Sequence, residues 1–139
     1  GPLLVDAAIK KVKTVILFGY HGKLIKLAGG IFHTHNHLAD GRIEILVYLA
    51  VQENVPLEII VKLSKLDNIE NALLFLEKFN QSTADKLFKR LSNTIEKRSF
   101  AYVNRYVKTD MEIASIIFDR KRKIRWAGIY GNKYISYFQ

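Results

Sequence analysis

The sequence predicts an α/β fold: one N-terminal strand and a C-terminal hairpin form a small sheet, packed with about four helices and Rossmann-like in character. Three observations carry this reading. The early run VKTVILFGY, residues 12–20, is short, β-branched and ended by glycine, as a buried strand should be. The middle of the chain keeps the 3.6-residue apolar spacing of helices. The tail, EIASIIFDRKRKIRWAGIYG, places two apolar runs around a polar turn.

After the first strand comes HGKLIKLAGG, with glycines near both ends. From Ala39 the pattern becomes helical, with Ile43, Leu46, Val47 and Ala50 on one face as far as about Glu53. Pro56 suits the first turn of a second helix, whose apolar face is Leu57, Ile60 and Val61. Asp67, three residues before Glu70, resembles a capping box for a third helix, which faces inward with Ile69, Ala72, Leu73, Leu76 and Phe79. Ser82 can cap a long fourth helix carrying Ala84, Leu87, Leu91 and Ile95. The dense basic run DRKRKIR, residues 119–125, reads as a hairpin tip. Three strands make a thin sheet, so another part of a longer protein, or a partner chain, is expected to complete it.

The length of 139 residues suits one domain, and 49% hydrophobic residues can build a packed core. The opening GPLLVDAAIKK has no Met and reads as the start of a fragment. The absence of cysteine excludes disulfides, thiolate catalysis and cysteine–zinc sites within the chain. No apolar run approaches the roughly 18 residues of a membrane span, and no signal-peptide pattern opens the chain. A cytoplasmic protein without a membrane partner is the expectation. The net charge of +9 favours anionic partners, either nucleic acid or a small molecule with many carboxylates or phosphates.

Two stretches can carry chemistry. GYHGK, residues 19–23, follows a predicted strand, where open α/β sheets bind ligands; a tight glycine turn is the plainer reading. HTHNHLADGR, residues 33–42, holds three histidines at alternate positions. Zinc can take His33 and His37 at helical spacing, yet Thr34, Asn36, Asp40 and Gly41 favour a loop or cap, and no fourth ligand is evident. Asp40 as a helix N-cap is the simple alternative, as is a salt-bridged helix start built from Asp40, Arg42 and Glu44.

The block GYHGKLIKLAGGIFHTHNHLADGRIEIL resembles the signature of the CbiD family, a stretch close to G-H-x-G-K-L-x-K-L-A-x-G-x-x-x-T-H-S-x-x-A-D-x-R-x-E. Gly19, Gly22, Lys23, Leu24, Lys26, Leu27, Ala28, Gly30, Thr34, His35, Ala39, Asp40, Arg42 and Glu44 match at fixed spacing. Tyr20 stands where the family has His, and Asn36 where it has Ser. Only the middle histidine belongs to the motif, which speaks against a metal trio. The rest of the chain agrees in layout alone.

The resemblance implies methyl transfer from S-adenosylmethionine to ring carbon 1 of cobalt-precorrin-5B, giving cobalt-precorrin-6A, in oxygen-independent cobalamin biosynthesis. It also implies that residues 1–139 are a single domain, the C-terminal part of a two-domain protein whose N-terminal domain lies outside this chain. Carried onto this sequence, it makes His35 a candidate base, with Asp40 either to orient it or to contact the cofactor. Gly19, Gly22 and Thr34 become candidates for the cofactor, and Lys23, Lys26 and Arg42 for the substrate carboxylates. No metal ligand is expected. Two alternatives remain: a basic nucleic-acid-binding or interaction module, and a histidine-based metal-dependent hydrolase. Although seven Tyr and eight Phe are present, none alternate with basic residues in an RNA-binding motif, so a nucleic-acid partner is not expected. A homo-oligomer is left open.

Overall fold

The computed structural model describes residues 2–30 and 41–139. Helix α1, Pro2–Ile9, leads into strand β1, Thr14–Tyr20. Helices α2, His21–Ala28, α3, Arg42–Gln52, α4, Leu57–Ser64, α5, Ile69–Phe79, and α6, Gln81–Tyr106, follow. Strands β2, Glu112–Phe118, and β3, Ile124–Ala127, form a hairpin, and two short 3-10 turns, Gly131–Lys133 and Ile135–Phe138, end the chain. The sheet order is β1-β2-β3. β1 runs parallel to β2, in register from Thr14 opposite Glu112 to Tyr20 opposite Phe118, and β3 is antiparallel to β2.

The expected α/β class and C-terminal hairpin are present. The helices number six among the described residues rather than about four. The stretch read as a glycine turn is helical: Tyr20 is still extended at φ −74° and ψ 141°, and α2 starts at the next residue. Its buried Ile25 and Ala28, with the first-turn His21 and Gly22, give it an inward face that glycine content alone conceals. The caps also differ from expectation. Asn68, not Asp67, accepts the Asn71 N–H at 2.8 Å, and Asn80, not Ser82, accepts the Thr83 N–H at 2.9 Å. Both asparagines are extended, the geometry a capping side chain needs to reach back over the first turn. Gly41, at φ 75°, occupies the cap position of α3 where Asp40 was expected; Asp40 itself lies outside the described residues.

β1 was expected to be buried, but among the described residues it is an edge strand and none of its own residues is buried, whereas the five central residues of β2 are all buried. Alternation sorts β2 by face. Ile113, Ser115 and Ile117 turn to α6, while Ala114 and Ile116 point to the opposite face. α6 is the spine of the domain. Its stripe of Ala84, Leu87, Phe88, Leu91 and Ile95 fills the main core, and Val103 joins a second cluster with Leu4, Ala8, Met111 and Ile113. No helix among the described residues is long and apolar enough to cross a membrane.

One charged group sits within this core. Glu96 of α6 is 4% exposed. Its carboxylate accepts the Ser115 N–H at 2.7 Å, the Ser115 hydroxyl at 3.2 Å, the Tyr130 N–H at 3.0 Å and the Gly131 N–H at 2.9 Å. Such saturation makes a buried carboxylate tolerable. It also demands glycine nearby: a Cβ on Gly128 would lie 2.1 Å from the Glu96 carboxyl carbon, and one on Gly131 1.9 Å from the Ser115 carbonyl oxygen. Glu96→Ala strands buried donors on β2 and the tail, at about 1–3 kcal/mol each. We therefore expect a loss of about 3 kcal/mol or more in urea denaturation. Gly131→Ala should be comparably destabilising, because the neighbouring atom is backbone and cannot swing aside. A variant of either kind as stable as the parent would refute this account.

Candidate functional site

The parallel strands β1 and β2 end on the same side of the sheet, and a cleft of about 480 Å³ opens there. That is the ligand-binding side of open α/β sheets, and the size lies within the small-molecule range. Tyr20, Gly22 and Lys23 reach it from the β1–α2 junction, and Arg42, Ile43 and Glu44 from the first turn of α3. Asp67, Asn68 and Glu70 come from the start of α5, and Arg120 from the hairpin tip. Three cations and three carboxylates thus line one hollow.

At its edge lies a buried polar pair. His21 has no exposed surface, and its Nε2 is 3.0 Å from Glu70 Oε2. The Tyr20 hydroxyl donates to the same oxygen at 3.4 Å. Burial pushes the His21 pKa below its ordinary value, and the Glu70 charge and hydrogen bond only partly oppose this. The imidazole is therefore neutral near pH 7. Among the described residues its Nδ1 is buried without a hydrogen-bond partner. The proton accordingly sits on Nε2, where it is donated to Glu70; the opposite tautomer would face a lone pair against the carboxylate and bury an unpaired N–H. His21 thus acts as a fixed donor that holds Glu70 in position.

Aromatic rings support this pair from below. His21 meets Tyr20 at 4.2 Å between ring centroids and the edge of Phe88 at 5.9 Å, and Phe88 stacks on Trp126 at 4.6 Å. The Arg125 guanidinium lies 4.5 Å over Trp126, donates to Glu77 at 2.7 Å and reaches Asp119 at 3.4 Å. Burial alone would raise the Asp119 pKa, but the Lys123 amide, Arg125 and the Lys121 amide together lower it. The basic run is a hairpin tip as expected, with Arg122 at φ 62°, and it also delivers Arg120 to the cleft.

Of the residues expected at a site, Gly22, Lys23 and Arg42 converge on the cleft. Lys26 stands farther along α2, outside the lining. Gly19 does not face the cleft: a Cβ there would meet the Leu24 side chain at 3.1 Å, so this glycine serves strand–helix packing. Gly22 needs no positive φ; a Cβ on it would strike the Tyr20 ring at 2.8 Å. His33, Thr34, His35, His37 and Asp40 lie outside the described residues. His21, Glu70 and Arg120 were missed. The available signal was a second histidine one residue from the family's histidine position, but its partner is 49 residues away.

The pH dependence follows from the His21 shift, whose sign is that of a base with a depressed folded pKa. The unfolded chain binds a proton that the folded chain refuses. This contribution to stability is fully present above about pH 6.5 and is lost as pH falls toward the folded pKa. His21→Gln keeps a donor for Glu70 but cannot titrate. Denaturation midpoints at pH 7.5 and pH 5 should therefore diverge less in this variant than in the parent. Equal acid sensitivity would remove His21 as the cause.

The family model described as CbiD, C-terminal domain, matches residues 33–128. The whole chain is 99% identical to a cobalt-precorrin-5B C(1)-methyltransferase of Prochlorococcus marinus strain MIT 9215 and covers 38% of it. It is 73% identical over its whole length to the protein of the same name from Prochlorococcus marinus subsp. pastoris strain CCMP1986 / NIES-2087 / MED4, covering 37%. The namesake in strain MIT 9303 is 48% identical over 98% of the chain, which covers 35% of it. The chain thus spans well under half the length of the curated relatives it matches. No solved structure matches it. A matching family model over most of the chain and end-to-end similarity to these relatives lead to one conclusion: the chain belongs to the CbiD family, as that family's C-terminal domain.

Proposed function

We propose that the full-length protein transfers a methyl group from S-adenosylmethionine to ring carbon 1 of cobalt-precorrin-5B. In this reading, residues 1–139 are the C-terminal one of two domains and supply one wall of the site. The names of the relatives point to the reaction. The observation that carries it on this chain is the cleft at the ends of β1 and β2, where Lys23, Arg42 and Arg120 stand beside Glu44, Asp67 and Glu70. The three cations suit the acetate and propionate arms of a precorrin, with a guanidinium able to make a two-point carboxylate contact. The carboxylates suit the ribose hydroxyls and ammonium group of the methyl donor, whose sulfonium supplies an electrophilic methyl. Gly22 lines the cleft and remains the glycine suited to the cofactor; Gly19 faces away.

The residues of this chain contribute positioning, which is where most of the rate gain of a methyl transfer resides. Glu70, fixed by His21 and Tyr20, offers an acceptor of set direction. His35, oriented by Asp40, is proposed as the base that takes a proton from the macrocycle, and Thr34 as a cofactor contact. A many-armed tetrapyrrole needs walls on more than one side, so the site is completed by the N-terminal domain, and the small sheet is part of a larger, Rossmann-like one. A cytoplasmic location belongs to the same proposal.

Steady-state kinetics of the full-length protein test this. Arg42→Lys should raise KM for the precorrin roughly tenfold with a smaller effect on kcat, the loss of one charge-assisted contact. His35→Ala should abolish most turnover, while His33→Ala and His37→Ala leave it near the parent level. An unchanged KM in Arg42→Lys, or equal losses at all three histidines, would overturn these assignments.

A further inference from the structure

We propose that the residues immediately preceding α1 in the full-length protein form a fourth strand, parallel to β1 and hydrogen-bonded to its outer edge. The proposal rests on the reading that this chain is the C-terminal domain of a longer protein. β1 pairs with β2 on one side, and among the described residues it has no partner on the other. Its seven residues, TVILFGY, contain neither lysine nor proline nor a bulge, the features by which open edges are blunted. A long, flat, apolar edge of this kind is built to be covered.

The chain's own topology selects the occupant. α1 packs on the α6 face of the sheet, through Leu4 and Ala8 against Val103, Met111 and Ile113. The helices that connect β1 to β2 lie on that face too. Crossovers between parallel strands are right-handed almost without exception, so helices on one face step the strands in one direction. From β1 the later step leads to β2. The earlier step, through α1, must therefore arrive at β1 from the opposite side, which is the open edge. The relatives supply the chain length: this domain accounts for 38% of one and 37% of another, and it is their C-terminal part. The C-terminal end of the added strand would sit beside Tyr20, at the mouth of the cleft, making it the first element of the second wall.

Cysteine cross-linking in the full-length protein tests the pairing, since residues 1–139 contain no cysteine and upstream ones can be replaced. A cysteine at Ile16 is combined with single cysteines scanned through the residues before Pro2. Oxidation should cross-link Ile16→Cys within one molecule to a narrow window of positions. Moving the probe to Phe18→Cys should shift that window two residues toward the C-terminus, as parallel pairing requires. Hydrogen exchange in the full-length protein should also be slow at successive residues 15–19 rather than at alternate ones, because the N–H groups that point away from β2 would then be paired too. A shift in the opposite sense, no cross-link in the window, or cross-links only between molecules with protection lost on dilution would each overturn the proposal. None of these readouts depends on methyl transfer, so failure here and failure of the catalytic reading are distinguishable.

Discussion

The domain depends on one buried carboxylate. Glu96 projects from the middle of α6 and gathers donors from β2 and from the turn after β3, fixing to one helix two segments that the β2–β3 pairing already brings together. Apolar contact alone would let the C-terminal turns slide over the sheet, because hydrophobic attraction has no direction. A carboxylate with several N–H groups aimed at it has a direction, and in a low-dielectric setting an unmade bond is costly. The requirement for glycine at Gly128 and Gly131 is a consequence, since these residues must pass within contact distance of the carboxyl group and of the Ser115 carbonyl.

The cleft inherits its order from the same helix. Near its start α6 provides Asp85, which accepts the Trp126 indole N–H at 3.2 Å, and Phe88, which stacks on that ring. His21 rests against this stack, and Glu70 is held by His21. A chain of contacts therefore runs from the helix spine to a carboxylate at the cleft surface. Arg125 closes it from the hairpin side through Glu77 and Asp119. The polar part of the site stands on rigid aromatic support rather than on loop residues alone.

Much of this was legible in the sequence, where periodicity was long enough to speak. The runs that became α3, α5 and α6 show their period over seven or more residues, and β1 and the hairpin stand out as apolar runs. α4 was found, but it buries Ile59 and Leu63 and leaves the expected Leu57 and Val61 exposed. α2 was hidden because its inward face is only eight residues long and starts with His-Gly, which reads as a turn. The caps were misplaced by one or two residues because Asp67 and Asn68, like Ser82 and Asn80, are equally competent by type; backbone geometry alone chooses between them. At the site, Gly22, Lys23 and Arg42 could be found because they lie within one contiguous motif. Glu70 and Arg120 could not, because only the folded chain brings them to that motif.

α6 has a mechanical consequence. Its 26 residues make a rod of about 39 Å that belongs to both hydrophobic clusters at once. The packing of α1 at one end and the aromatic floor of the cleft at the other share this one support, and a packed helix bends far less readily than a loop. The floor of the cleft and the α1 end are tied to the same rod, so one helix sets the distance between them.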